Sequence, residues 1–286
     1  MDGFIIIDKE KDFTSFDVCN KIRHKFFTSH VGHTGTLDPN ATGVLVVSLG
    51  KGCKTLNLLE EHDKSYLCTI EFGKSYDTID PTGKLVSESF KEIDIEALKK
   101  AVDKVALKES QIPPKYSALK IKGKRAYDLA REGKDFEIKE RPAHVYEARI
   151  ESQLKKIDNC YYVDIYLKVS KGFYIRSFVR DVAEELGVDA NMFNLRRLSS
   201  GIFKIENSKK LNDITEDDII PIAKVFSYLP HVELKEYLLP LIKNGVQLDS
   251  RQTTIDSPFV AVINGKEIAI YKPGKNKGTY SIEVLL

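Results

Sequence analysis

Gly32-His33-Thr34-Gly35-Thr36-Leu37-Asp38-Pro39-Asn40-Ala41-Thr42-Gly43 runs directly into Val44-Leu45-Val46-Val47-Ser48-Leu49. The second half is an apolar run of strand length and reads as a buried strand. The first half is too poor in apolar residues to form a core element, and its glycines allow close approaches and backbone shapes that other residues forbid. Pro39 steers Asp38 away from the helical region, so the carboxylate sits on extended or turning backbone. A loop held by a rigid strand is a common mount for a catalytic group. An isolated Asp-Pro more often marks a plain turn; it is the whole glycine-punctuated run that singles out Asp38.

The flanking segments alternate strand and helix. Phe4-Ile5-Ile6-Ile7 is a β-rich run. Thr14 or Ser15 can cap a helix over about 16–27, with Phe16, Cys19, Ile22 or Arg23, and Phe26 at helical spacing. Further helices are expected near 54–61, from the cap Asp94 through Val105, over 125–132 with Gly133 at C′, and over 177–186 closed by Gly187. Strands are expected near 65–72, 143–153 and 161–169. Asp80-Pro81-Thr82-Gly83 reads as a turn in which proline presets φ and glycine tolerates positive φ. The expected fold class is α+β, a mixed, mostly antiparallel sheet with flanking helices. A break near Tyr228-Leu229-Pro230 divides a catalytic domain, 1–230, from a small, mainly β appendage, 231–286. There a helix is expected over 235–244, and Asn264-Gly265 should join 259–263 to 266–271 in a hairpin.

With 286 residues and 42% apolar residues, the chain can bury a sizeable core. Its net charge is only +2, so any nucleic-acid surface must come from local clustering. No apolar run is long enough to span a membrane, and the start lacks a secretory pattern. Cys19, Cys53, Cys68 and Cys160 form no C-x-x-C pair, which reads as free thiols without a zinc site or disulfide framework. A cytoplasmic location is the default expectation.

Four ordered segments carry a resemblance. Gly32–Leu45 (GHTGTLDPNATGVL) resembles the signature loop of the TruB family of tRNA pseudouridine synthases. Asp63-Lys64-Ser65-Tyr66, then Gly73 and Tyr76-Asp77-Thr78-Ile79-Asp80, resemble its K-x-Y strand and D-T-x-D loop. Gln111-Ile112-Pro113-Pro114-Lys115-Tyr116-Ser117-Ala118-Leu119-Lys120 resembles its Q-x-P-P-x-Y-S-A-x-K element. Lys171-Gly172-Phe173-Tyr174-Ile175-Arg176-Ser177 and Leu195-Arg196-Arg197-Leu198 resemble its late motifs. The family often reads K-P-x-G near the start, where this chain has Lys9-Glu10-Lys11-Asp12, a departure that bears on the local turn.

The resemblance implies isomerisation of uridine 55 in the tRNA T arm to pseudouridine, on a flipped-out nucleotide, without metal or other cofactor. It assigns Asp38 as the catalytic carboxylate and Arg176 as the group beside it, orienting it. It makes Tyr66 a base-stacking residue that participates in proton removal, Tyr174 and Leu195 substrate contacts, and His33 a support for the flipped nucleotide. It also implies a PUA-like, RNA-binding C-terminal part and a monomer acting without an obligate protein partner. Taken singly, the tyrosines read as packing, Arg176 as a surface charge, His33 as a loop histidine and Leu195 as core.

Charge clustering fits an RNA partner. Lys115, Lys120, Lys122, Lys124 and Arg125 fall in an acid-free stretch around Tyr116. Lys21–Thr36 is acid-free as well, and Lys168–Arg180 adds Lys168, Lys171, Arg176 and Arg180. Such stripes neutralise phosphates while interleaved aromatics stack bases. Three other readings compete: an RNA-binding protein without catalysis, a guide-RNA-dependent relative, and a hydrolase. The last wants two acids flanking the bond, and no second acid accompanies Asp38 in its loop.

Overall fold

The computed structural model describes residues 1–60 and 62–286. In chain order, the elements framing the Asp38 loop are β1 (Gly3–Lys9), α1 (Ser15–Lys25), β2 (Val31–Thr34), β3 (Thr42–Leu49), α2 (Leu56–Glu60), β4 (Lys64–Phe72), α3 (Ile95–Ala106), α4 (Ala126–Arg131), β5 (Val145–Ile150), β6 (Cys160–Val169), α5 (Ile175–Leu186) and β7 (Ala190–Ser200). The fold is mixed α+β and mostly sheet. A nine-stranded sheet runs β1-β3-β7-β4-β6-β5, with β2 on β3 and two short strands at its margins. Its pairings are antiparallel except β3 with β7, which meet in parallel at Thr42–Gly43.

The two continuous apolar runs, Phe4–Ile7 and Val44–Leu49, have one cause. Strands buried on both faces lose the usual alternation. Ile5, Ile7, Leu45 and Val47 enter a core with α1, α3 and α5. Phe4, Ile6, Val44 and Val46 point the other way, against Val260, Val262, Ile270 and Val284.

Those last residues belong to a second, five-stranded sheet. It comprises β8 (His231–Glu233), β9 (Leu248–Asp249), β10 (Phe259–Ile263), β11 (Lys266–Pro273) and β12 (Thr279–Leu285), ordered β8-β10-β11-β12-β9. Asn264 and Gly265, at φ 51° and 72°, make the expected two-residue turn between β10 and β11.

Several expectations shift. The helix expected over 235–244 is a 3-10 turn, Glu236–Leu238, followed by Leu239–Lys243. Pro240 has no N–H and belongs to a first turn, so the helix starts around it. Phe16 is 61% exposed although its spacing placed it on the buried face of α1. Cys19, Ile22 and Phe26 are buried as expected, and Ser15 and Val18 complete that face. Thr14 is the cap, in a reciprocal capping box with Asp17. The helix expected over 54–61 resolves into a 3-10 segment, Gly50–Thr55, and α2; Glu61 lies outside the described residues. Among the described residues no helix is long and apolar enough to cross a membrane.

Candidate active site

β2 and β3 form a hairpin whose wide connection, 35–41, carries Asp38. His33 and Thr34 are therefore strand residues, not loop. Gly43 is at φ +99°, and a Cβ there would lie 2.2 Å from the Arg197 carbonyl oxygen of β7, so only glycine lets the two backbones meet. The connection is tied down from four sides. Ser15 Oγ at the start of α1 accepts the Leu37 N–H at 2.9 Å. Asn40 Nδ2 donates to the Phe193 carbonyl at 3.3 Å. Arg197, 1% exposed, donates from Nε to Val44 O at 2.6 Å and from Nη2 to Gly35 O at 2.9 Å. Lys9, also 1% exposed, donates from Nζ to the carbonyls of Phe13, Glu10 and Pro39. Burial pushes the Lys9 ammonium down to about 8, against the pull of the nearby Asp38 carboxylate.

The chain's departure from K-P-x-G leaves this turn intact. Asp12 takes the left-handed conformation, φ 69°, and its N–H reaches Pro39 O at 2.9 Å. Aspartate is among the few side chains that enter this region readily.

Asp38 is the most open member of the cluster, its side chain 38% exposed. Its Oδ2 lies 3.0 Å from Arg176 Nη2. The arginine is buried, not a surface charge, because the first turn of α5 carries it inward. Its Nη1 donates to Thr78 O at 3.1 Å and lies 3.8 Å from Asp80 Oδ2. Asp80 is fixed in turn by Thr78 Oγ, by the Thr82 N–H and by the Thr82 hydroxyl. One guanidinium is thus held from beneath by a buried carboxylate and presents its other edge to an exposed one.

Asp80 was legible as a turn residue and as the end of D-T-x-D, but its contact with Arg176 was not foreseen. The turn itself works differently from expectation. Gly83 is not at positive φ; glycine is required because a Cβ would lie 2.3 Å from Asp77 Oδ1 and from Thr78 Oγ1.

Tyr174 caps α5, and Gln111 grips its backbone at both ends. Gln111 Oε1 accepts the Tyr174 N–H at 2.6 Å, and Nε2 donates to Tyr174 O at 3.3 Å. Ser177 Oγ and Arg180 Nη2 both donate to Ile112 O, so the Gln111–Ile112 segment is docked on α5. Tyr66 on β4 and Leu195 on β7 are buried in the core that also takes Leu37 and Ala41 beside Asp38. His33 Nδ1 is buried without a hydrogen-bond partner among the described residues, and burial together with the Arg197 charge holds the imidazole below its usual range. Lys115, Lys120, Lys122, Lys124 and Arg125 are all exposed. The last four of the five lie on a two-stranded ribbon leading into α4. Tyr116 Oη, beside them, donates to Asp77 Oδ2 at 3.3 Å and links this arm to the Asp80 loop. In the third basic stretch, Arg176 and Arg180 face carboxylates (Asp38 and Asp80, Asp181 and Glu184), so neither is a free phosphate ligand.

Comparison with known proteins gives a consistent picture. Residues 23–175 match the family described as TruB family pseudouridylate synthase (N terminal domain). The chain is 39% identical to the tRNA pseudouridine synthase B of Acholeplasma laidlawii (strain PG-8A), across 96% of each chain. It is 39% identical to that of Clostridium tetani (strain Massachusetts / E88), covering 88% of this chain and 87% of the other. Among solved structures, a Cbf5-Nop10-Gar1 complex contains a chain with the same fold, at a TM-score of 0.72 and 22% identity. That likeness covers 99% of this chain and 83% of the other.

Proposed function

The chain belongs to the TruB family of pseudouridylate synthases, and from that premise we propose that it converts uridine 55 in the T arm of tRNA to pseudouridine, with Asp38 as the catalytic carboxylate. The observation that carries the assignment of Asp38 is its 3.0 Å contact with an arginine that Asp80 and Thr78 O hold in place. A carboxylate fixed by a buried guanidinium, yet open on its other side, is preorganised toward an incoming reactant.

In the reaction the N1–C1′ bond breaks, the uracil turns over, and C5 bonds to C1′. The C5 proton leaves and N1 takes one up, so the product is an isomer of the substrate. Asp38 faces the sugar–base bond of a nucleotide turned out of its stack. Arg176 orients the carboxylate, Tyr66 stacks on the base and participates in removing the C5 proton, and Tyr174 and Leu195 bound the pocket. His33 supports the flipped nucleotide. Lys115, Lys120, Lys122, Lys124 and Arg125 contact the RNA backbone. Residues 1–230 make up the catalytic domain, and 231–286 form a PUA-like RNA-binding appendage that packs behind the sheet through Val260 and Val262. The enzyme works as a cytoplasmic monomer on tRNA, with no guide RNA or obligate protein partner.

Tritium release from a T-arm stem-loop carrying 5-tritiated uridine, with the purified chain alone, tests this. Release is expected from the parent and none from Asp38→Ala with intact RNA binding. No release by the parent sinks the assignment, and release only with an added guide RNA moves the chain to a guide-dependent mode.

A further inference from the structure

Phe27 stands where the chain leaves α1, and two independent features set it apart. Its backbone is left-handed, φ 48°, at the position after a helix where glycine is favoured because a Cβ is strained there. Its ring is 98% exposed, whereas the adjacent Phe26 is buried. The turn closes α1, with Phe27 N–H on His24 O at 3.4 Å and Thr28 N–H on Arg23 O at 3.2 Å, but it needs no phenylalanine, and the exposed ring adds nothing to the core.

Its neighbours along the chain carry one sign of charge. Lys21, Arg23, His24, Lys25 and His30 flank it, with no acid from Lys21 to Thr36. The hydrogen-bond and ring partners they have among the described residues are neutral: Phe13 under Lys21, Asn20 at Arg23, the Asn212 carbonyl at Lys25 and Ser29 at His30. The His30 carbonyl accepts the Gly50 N–H at 2.8 Å, which brings exposed Lys51 and Lys54 to the same end. Of the acids near this end, Asp2 is turned to the Lys51 backbone N–H at 2.7 Å, and Asp213 follows the Asn212 that Lys25 holds.

We infer that Phe27 is a stacking platform for an unstacked base of the substrate RNA, held there by phosphate contacts to these cations; this rests on the RNA-modifying function proposed above. Ser15, at the opposite end of α1, bonds the Asp38 loop. At 1.5 Å rise per residue along the helix, Phe27 is then about 18 Å from Ser15. The base it takes is therefore not the flipped uridine but one elsewhere in the folded RNA. Because every base has a π face, the contact tolerates sequence change and contributes to affinity, not to the chemical step.

Phe27→Gly separates this role from a structural one, since it removes the ring and relieves the backbone at once. Thermal unfolding should stay level or rise by about 2 °C. On full-length tRNA, KM should increase about ten-fold, within what a base–aromatic stack contributes, with kcat unchanged. Phe27→Trp should restore KM. A Phe27→Gly protein that retains the parent KM overturns the inference, as does one that loses thermal stability and kcat together. Filter retention of tRNA reads the same contact without turnover, so a parent inactive on tRNA refutes the proposed reaction while leaving the Phe27 test decisive.

Discussion

Asp80→Asn removes one charge and almost nothing else. The amide that replaces the carboxylate keeps an oxygen to accept from the Thr82 N–H and from the Thr78 and Thr82 hydroxyls, the three contacts that fix the turn. What disappears is the attraction across 3.8 Å between Asp80 Oδ2 and Arg176 Nη1. At an effective dielectric of about 20, a unit pair at that distance is worth roughly 4 kcal/mol before desolvation. Arg176 then has Asp38 as its remaining carboxylate and is drawn toward it, away from the position Asp80 imposed. If about half of the lost energy appears as misplacement of the Arg176–Asp38 pair in the transition state, the chemical step loses about 2 kcal/mol, or roughly thirty-fold. Single-turnover tritium release at saturating RNA measures this step, and filter retention measures binding separately. The expected pattern is a slower step with unchanged affinity. A rate within two-fold of the parent would show that Asp80 shapes only the turn, and a loss confined to affinity would contradict the positioning argument.

Two further outcomes follow from the geometry. Gly83→Ala would place a methyl group 2.3 Å from Asp77 Oδ1 and Thr78 Oγ1, which costs about 1–3 kcal/mol of stability and moves Asp80; thermal unfolding and single-turnover rate should fall together, whereas an unaffected rate would uncouple the turn from Arg176. Lys9 titrates near 8 when folded and near its ordinary value when unfolded, so between these the unfolded chain binds more protons and stability rises with pH. Urea denaturation of the parent should gain stability from about pH 8 to 10.5 relative to Lys9→Met, which lacks the group; parallel curves would place the ammonium in water.

Local chemistry made much of the molecule legible. The Asn-Gly hairpin, the Thr14 cap, the glycine ends of α4 and α5 and the strand after Asp38 each depend on neighbours within a few residues. Contacts that join distant segments were less so. The resemblance placed Arg176 beside Asp38 but not on Asp80, which reaches it from a separate loop, and Arg180, counted in a basic stripe, faces its own chain neighbours Asp181 and Glu184. Lys9 and Arg197 gave no hint of lying buried under the Asp38 connection, since long cations are usually solvated. Cys19, Ile22 and Phe26 are buried as their spacing implied, but in the first turn of α1 the inward position is Ser15, which bonds Leu37, and Phe16 faces out. Pro240 did carry its signal, and a helix drawn across it ignored the missing N–H.

The two-faced burial of β1 also fixes an order of events during synthesis. Phe4 and Ile6 lie in β1, yet one side of that strand is covered only in part by Leu59, Phe203, Ile222 and Phe226 and is not closed until Val260, Val262, Ile270 and Val284 have been made. Its bonds to Lys209 and Ile220 wait as well. At about 5–20 residues per second the delay is on the order of ten to fifty seconds. Through that interval the nascent chain displays an apolar strand face next to the forming Asp38 loop. Chaperones that hold exposed β-strands therefore have their binding window here, at the amino-terminal end, and lose it once the last sheet closes over the first.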